Sequence, residues 1–374
     1  MKPKPLFFGS EIYRGSSYGA RHPLRVPRVS TVMDLSRSLG WLPAHQFQAS
    51  PRAKPKALLA WHTAAYIAAL EQAETDQSVS EATRTRHGLG TVSNPIYPEM
   101  FRRPATSAGA SLMAGAALKT AGIVYHPGGG THHGMPDRAA GFCYLNDPVL
   151  AMLSLRAAGI RRIAYIDIDA HHGDGVAFAF SGDRDVLLVD LHEERRWPFT
   201  GQLGENGGGN VFNLPVPRGF NDSEMAEARE ALILPNVAAF APEAIVLQCG
   251  ADAVTEDPLS RLELSNNAHW DVLRGLMSLD CPRLLVLGGG GYNPWSVGRL
   301  WTGIWGILNG FSAPERLPDA AESVLRALEW TYARGGKAPP EHWFTTLRDA
   351  PRLGPIRPQI RDRLAALRRR QFLS

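Results

Sequence analysis

Residues 161–176, RRIAYIDIDAHHGDGV, constrain the fold more than any other stretch. The first half is an almost unbroken apolar, β-branched run, the pattern of a strand buried on both faces of a parallel sheet. Where that strand must end, Asp167, Asp169, His171, His172 and Asp174 follow within eight residues, with Gly173 and Gly175 to let the backbone turn. Carboxylates and imidazoles on a loop at the carboxyl end of a buried strand are what a divalent metal site requires. The alternative is a polar loop facing water. Five such groups directly after a buried strand weigh against it.

The same arrangement recurs along the chain. AGIVYHP precedes GGGTHHGMPD, EAIVLQC precedes GADAVTED, and RLLVLG precedes GGGYNPW, with helical patterns over 147–158, 223–240, 266–279 and 295–308. Strands alternating with helices predict an α/β fold, a doubly wound and mostly parallel sheet flanked by helices, with its site at the carboxyl ends of the strands. Ahead of these come a strand at 6–9, a long loop SEIYRGSSYGARHPLRVPR and a helix over 29–39. ALLAWHTAAYIAALEQAE reads as a strand turning into a helix after His62. Residues 74–106, broken by Asn94-Pro95 and Tyr97-Pro98, read as an extended surface excursion, and 107–121 as a closely packed Ala- and Gly-rich helix. No linker or repeat divides the chain, so one domain is expected over 1–374, with a motif-bearing core at about 5–310 and an Arg-rich helical extension at about 311–374.

Composition excludes several classes. Hydrophobic content of 44% and charged content of 20% fit a soluble globular protein. The net charge is only +4, and residues 357–374 hold six arginines against one aspartate, so nucleic acid is not an expected partner. Cys143, Cys249 and Cys281 are scattered among apolar neighbours, which suits buried thiols rather than a disulfide framework. No stretch matches a signal peptide or a membrane span, and a cytoplasmic location is expected.

The loops supply complementary chemistry. Asp169, His171 and Asp252 form an open three-ligand set for a hydrolytic Zn²⁺. His132 and His133 are candidates for general base and acid, with Asp167 and Asp174 placed to orient them. Tyr292, after the tetraglycine, can donate to a developing oxyanion. Each part alone is ordinary; in sequence, at the ends of successive strands, they reinforce one another.

The motifs HPLRVPR (22–28), GGGTHHG (128–134), GFCYLND (141–147), DIDAHHGDGV (167–176), QCGADA (248–253) and GGGGY (288–292) resemble those of the histone deacetylase family. The likeness is to its class I-like bacterial branch of acetoin-utilisation proteins, within the arginase–deacetylase fold, over roughly residues 5–310. The resemblance implies the roles just given for the metal ligands, the histidine pair and Tyr292. It further implies that Phe142 and Trp197 wall an acyl-lysine tunnel, with Gly141, Gly290, Leu259 and Ser93 also touching substrate. Arg28 would line an inner cavity where acetate leaves, and a structural potassium ion would sit beside the Asp167–His171 loop. Three positions depart from the family's pattern. Ser93 stands where many relatives carry a substrate-clamping acid, Asp190 where a serine is usual beside the potassium, and Trp197 where phenylalanine is common.

The resulting expectation is a zinc-dependent amidohydrolase acting on Nε-acetyl-lysine of proteins, or on a small acetylated amine such as an acetylpolyamine. A catalytically silent acyl-lysine binder has no need for His132, His133 and Tyr292 together. An arginase-like binuclear hydrolase needs further bridging carboxylates, and Asp257 comes late for that purpose. The terminal helix IRDRLAALRRRQF either packs by its leucines or serves as a homo-oligomer contact or a patch for an acidic partner.

Overall fold

The apolar runs centred near residues 124, 165, 246 and 285 become the middle of one sheet. The computed structural model describes residues 4–330 and 338–370. Its strands are β1 (Leu6–Gly9), β2 (Phe47–Ala49), β3 (Gly122–His126), β4 (Ile163–Asp167), β5 (Val186–Glu193), β6 (Val211–Val216), β7 (Ala244–Gln248) and β8 (Arg283–Leu287). They lie in the order β2-β1-β3-β8-β7-β4-β5-β6, and every neighbouring pair is parallel.

Alternation along each strand feeds both faces. In β4, Ala164 and Ile166 face a core built with Trp270, Leu300, Trp301 and Trp305. Ile163 and Tyr165 face the opposite core, with Ala110, Ala114, Val149 and Met152 from helices Arg102–Ala117 and Asp147–Ala157. The buried indoles keep their N–H groups satisfied: Trp301 donates to the Cys249 carbonyl at 2.8 Å and Trp270 to that of Leu300 at 3.0 Å. A third cluster, with Tyr18, Tyr66, Tyr97, Tyr144 and Leu145, underlies the loops at the carboxyl edge.

Register decides where those loops emerge. His126 pairs with Leu287, Leu287 with Gln248, Gln248 with Asp167, and Asp167 with Asp190. The ends of five strands therefore stand level, and the loops that follow leave the sheet side by side.

The structure differs from the sequence reading in four places. Residues 57–62 carry no strand; Pro55 opens a short helix, Pro55–Leu58, and the sheet edge is taken by β2 instead. The segment 74–106 is not an extended excursion. It holds helix Glu81–His87, buries Leu89, Tyr97, Met100 and Phe101, and enters the next helix at Arg102. Over 223–240 the helix is interrupted by a π-helical turn, Arg229–Ile233, just before Pro235, whose missing N–H and bulky ring disturb the regular ladder. Strand β6 is not legible in the sequence because Pro215 interrupts its apolar run, and Pro is tolerated there since β6 lies at the sheet edge. Among the described residues no helix is long and apolar enough to cross a membrane.

The terminal helix is observed over Pro358–Arg368, and residues 371–374 lie outside the described residues. Ile360, Leu364 and Leu367 are buried. Arg357 clamps the buried Glu224 carboxylate at 2.6 Å, and Arg363 reaches Glu194 at 2.7 Å. The leucine face is thus taken up within the chain, as in the first of the two readings. Leu364→Ala is expected to cost about 2–5 kcal/mol of unfolding free energy in urea titrations. A cost below about 0.5 kcal/mol, the range of neutral surface changes, would show that the helix contributes little.

Candidate active site

Asp169 and His171 leave the end of β4, and Asp252 lies on a short turn, Ala251–Ala253, after β7. Their donor atoms lie within 4.8 Å of one another. His171 Nδ1 sits 2.9 Å from Asp252 Oδ2 and 3.3 Å from Asp169 Oδ1. Backbone amides aim the carboxylates: Gly290 N–H donates to Asp169 at 2.7 Å and Ala170 N–H to Asp252 at 3.0 Å. A Cβ at Gly290 would fall 2.0 Å from Asp252 Oδ2, so only glycine lets the 288–291 loop close on the group.

Asp169 and Asp252 are 1% and 0% exposed. Burial, then the charge of Asp169, pushes the Asp252 carboxyl above its ordinary range. Two enclosed carboxylates sharing one imidazole carry an excess of negative charge that a cation relieves. The oxygen and nitrogen donors suit a divalent ion, so the set can hold a metal. Asp257 is not available as a bridging ligand. Its carboxylate accepts the N–H groups of Tyr292 at 2.7 Å and Leu259 at 2.9 Å, so its role is to fix those two residues.

His132 and His133 follow β3 and lie with ring centroids 4.0 Å apart. His132 Nδ1 is 2.8 Å from Asp167, and His133 Nδ1 is 2.7 Å from Asp174. Each therefore has its Nε2 left for the site, and that of His132 stands 4.0 Å from Asp169. The two environments part the pair. Burial opposes protonation of His132, but Asp167 and Asp169 overcome it and hold the imidazole up at about 10. Burial and the charge of His132 press His133 down to about 4. Adjacent titratable groups driven in opposite directions are a signature of acid/base assignment.

The loop carrying the pair is locked from behind. Asn146 caps helix Asp147–Ala157 through Val149 N–H, and its Nδ2 donates to the carbonyls of His132 at 3.1 Å and Gly134 at 2.9 Å. The fully buried Asp147 carboxylate accepts from Gly130, Thr131 and Ser111. Tyr165 hydroxyl supports Asp167 at 2.7 Å.

Above the metal group lies an entrance cavity of about 440 Å³, lined by Ser93, Gly141, Phe142, Trp197, Leu259 and Tyr292, among others. Phe142 holds a left-handed backbone, φ 70°, fastened by Tyr18 hydroxyl donating to its carbonyl at 3.1 Å. Such a backbone costs a non-glycine residue about 1–2 kcal/mol. The Phe142 ring meets Tyr292 edge-on at 5.7 Å, and Trp197 meets His133 at 4.6 Å. Burial raises the Tyr292 phenol well above its usual value, so it remains a donor near neutrality. Ser93 is exposed at the rim, its carbonyl 3.2 Å from His22 Nε2.

Behind the metal group, Gly290 and Arg28 line a second, inner cavity of about 50 Å³. Arg28 donates to the Gly289 carbonyl at 2.6 Å, and its Nε is enclosed without a partner. Arg103 lines the same cavity and is buried, donating to the Ser16 carbonyl at 2.7 Å. Neither guanidinium meets a carboxylate among the described residues, which makes the cavity receptive to an anion. Asp190, beside β4, accepts from Gly173 N–H at 2.9 Å and lies 2.6 Å from His192 Nδ1.

Asp169, His171, Asp252, His132, His133, Asp167, Asp174, Tyr292, Phe142, Trp197, Leu259, Gly141, Gly290, Ser93 and Arg28 thus gather around the two cavities or directly against residues that line them, while Asp190 lies one strand further on, against Gly173 and His192. The sequence alone gives no role to Asn146, Asp147, Tyr165 or Arg103, and offers Asp257 only as an ill-placed bridging ligand. Asn146-Asp147-Pro148 carries a legible helix-start signature. Arg103 carries none, because nothing in its polar stretch says that it turns inward.

Comparison with known proteins agrees with this geometry. The family model for the histone deacetylase domain matches residues 22–308. The acetoin utilization protein AcuC of Bacillus subtilis is 32% identical over 330 residues, 84% of each chain. Histone deacetylase 8 of Xenopus tropicalis is 33% identical, covering 79% of this chain and 82% of that one. The crystal structure of an HDAC homolog from Aquifex aeolicus superposes with a TM-score of 0.93 at 33% identity, over 98% of this chain and all of that one. With strand order, loop chemistry and these relatives in agreement, the chain belongs to the histone deacetylase family, near its AcuC-like branch, and is a deacetylase-type hydrolase.

Proposed function

We propose that the protein is a zinc-dependent deacetylase that hydrolyses the amide of Nε-acetyl-lysine in proteins. The observation that carries this reading is the placement of the Asp169–His171–Asp252 group at the foot of the aromatic-walled entrance, faced by a split histidine pair and Tyr292. Asp169, His171 and Asp252 would hold the Zn²⁺, which when bound would supply Lewis-acid chemistry. Phe142 and Trp197 flank the acyl-lysine stem. His133, kept neutral by burial, takes a proton at Nε2 and returns it to the departing lysine amine. His132, kept charged by Asp167, stabilises negative charge as the carbonyl becomes tetrahedral, and Tyr292 donates its hydroxyl to the same oxygen. The inner cavity with Arg28 and Arg103 receives the acetate. The reading retains a potassium ion beside the Asp167–His171 loop, where Asp190 adds a carboxylate.

The competing substrate is a small acetylated amine, favoured by the absence of a clamping acid at Ser93. An acetyl-lysine peptide and an acetylpolyamine assayed side by side decide between them. Faster peptide hydrolysis, lost on chelation and restored by zinc, is expected, and a polyamine preference overturns the protein-substrate reading.

Tyr292→Phe is expected to retain stoichiometric zinc while kcat falls roughly 100- to 1000-fold. An unchanged rate would remove Tyr292 from the mechanism. Asp174→Asn, which strips His133 of its charged partner, should lower kcat/KM about 10- to 100-fold.

Trp197 packs against Gly141 so closely that a Cβ there would lie 2.2 Å from the indole. The wall is therefore tight on the acyl side. Trp197→Ala is expected to raise turnover of decanoyl-lysine relative to acetyl-lysine; equal turnover of the two by the unaltered protein would contradict a narrow tunnel.

A further inference from the structure

The rim of the entrance differs in charge from its floor. Carboxylates concentrate below, yet none lines the opening. Arg195, Arg196, Trp197 and Phe199, all from the connection between β5 and β6, face Ser93 and Leu259 across it. Arg196 is balanced, held by Glu193 at 2.8 Å and tied to the Leu259 carbonyl at 2.6 Å. Arg195 is exposed and makes no ion pair among the described residues. Neighbouring acids have other partners: Glu194 pairs with Arg363, and Glu205 accepts from the Gly201 N–H.

The same rim exposes apolar surface. Phe199 is 66% exposed and Trp197 39%, while Val92, next to Ser93, is 92% exposed. Five non-glycine residues among those described hold a positive φ, and three of them, Phe142, Arg195 and Phe199, surround this opening. Strained backbone of that kind is kept where a surface must hold a particular shape. An unpaired cation set among exposed aromatics, with no acid to answer it, complements a ligand that is acidic and partly apolar.

We propose that this rim is a docking surface for acyl-lysine segments flanked by acidic and apolar residues, and that Arg195 makes the opening select against polycationic substrates. The proposal rests on the deacetylase reading above and names its substrate class. Basic tails and acetylpolyamines, which share the same reactive amide, are disfavoured by charge before they reach the metal.

The test uses peptides of equal length with one central acetyl-lysine and acidic, neutral or basic flanks, on the full chain and on Arg195→Gln and Arg195→Glu. The readout is the ratio of kcat/KM for acidic over basic peptide within one preparation, which a partly misfolded variant does not distort. The unaltered protein is expected to favour the acidic peptide roughly two- to fivefold, the upper range of a single exposed charge pair. Arg195→Gln should flatten the ratio and Arg195→Glu invert it, and 1 M salt, where screening acts beyond about 3 Å, should erase it. Basic peptide processed as fast as acidic, or a ratio unmoved in Arg195→Glu, overturns the proposal. Anisotropy of the labelled peptides separates the two levels. Charge-ranked binding without hydrolysis of any peptide sinks the deacetylase reading and keeps the rim, whereas hydrolysis blind to charge sinks the rim alone.

Discussion

The site depends on one constraint, the level register of five parallel strand ends. His126, Leu287, Gln248, Asp167 and Asp190 stand side by side across the sheet. A parallel ladder slipped by one residue would turn every side chain of the strand to the other face. The ligands from β4 and β7 would then no longer meet, because Asp169 and Asp252 follow those strands by only two and four residues. The large indole core and the small-residue core on the two faces hold the register by burying alternate side chains of each strand. Packing far from the chemistry thereby sets distances within it.

Around that frame, buried charge is handled by pairing. Asp167 and Asp174 each face an imidazole, Asp147 and Asp257 accept backbone N–H groups, and Asp169 and Asp252 share His171. Leaving one carboxylate unpaired in such surroundings costs several kcal/mol, so the network is cooperative: removing one partner strands another. The Asp169–His171–Asp252 group sets two carboxylates against one imidazole, whereas Arg28 and Arg103 in the inner cavity meet no carboxylate among the described residues. Asp169 and His171 line the inner cavity together with Arg28 and Arg103, so opposite charges face one enclosed space.

The entrance is built differently. Its walls come chiefly from the connections after β2, β3, β5 and β7, and they hold their shape through a few anchored residues. Tyr18 fixes Phe142, Asp257 fixes Leu259, and Glu193 fixes Arg196. These connections carry the departures at Ser93 and Trp197.

The sequence by itself determined the alternation of strands and helices, the carboxyl-edge position of the candidate site, and the Asp-His-Asp and HisHis groups that gather there. Those features are local: a strand period, a glycine turn and a donor type can be read within a dozen residues. The sheet order and the edge strands β2 and β6 were decided only by the tertiary structure, because pairing partners lie far apart in the chain. The same holds for the burial of Tyr97 and Phe101, and for the inward turn of Arg103, which a polar stretch gives no reason to expect. The opposed titration of His132 and His133 is likewise invisible in the HisHis dipeptide. It arises because folding gives one ring two nearby carboxylates and the other a charged neighbour, a difference of environment that two identical letters cannot carry.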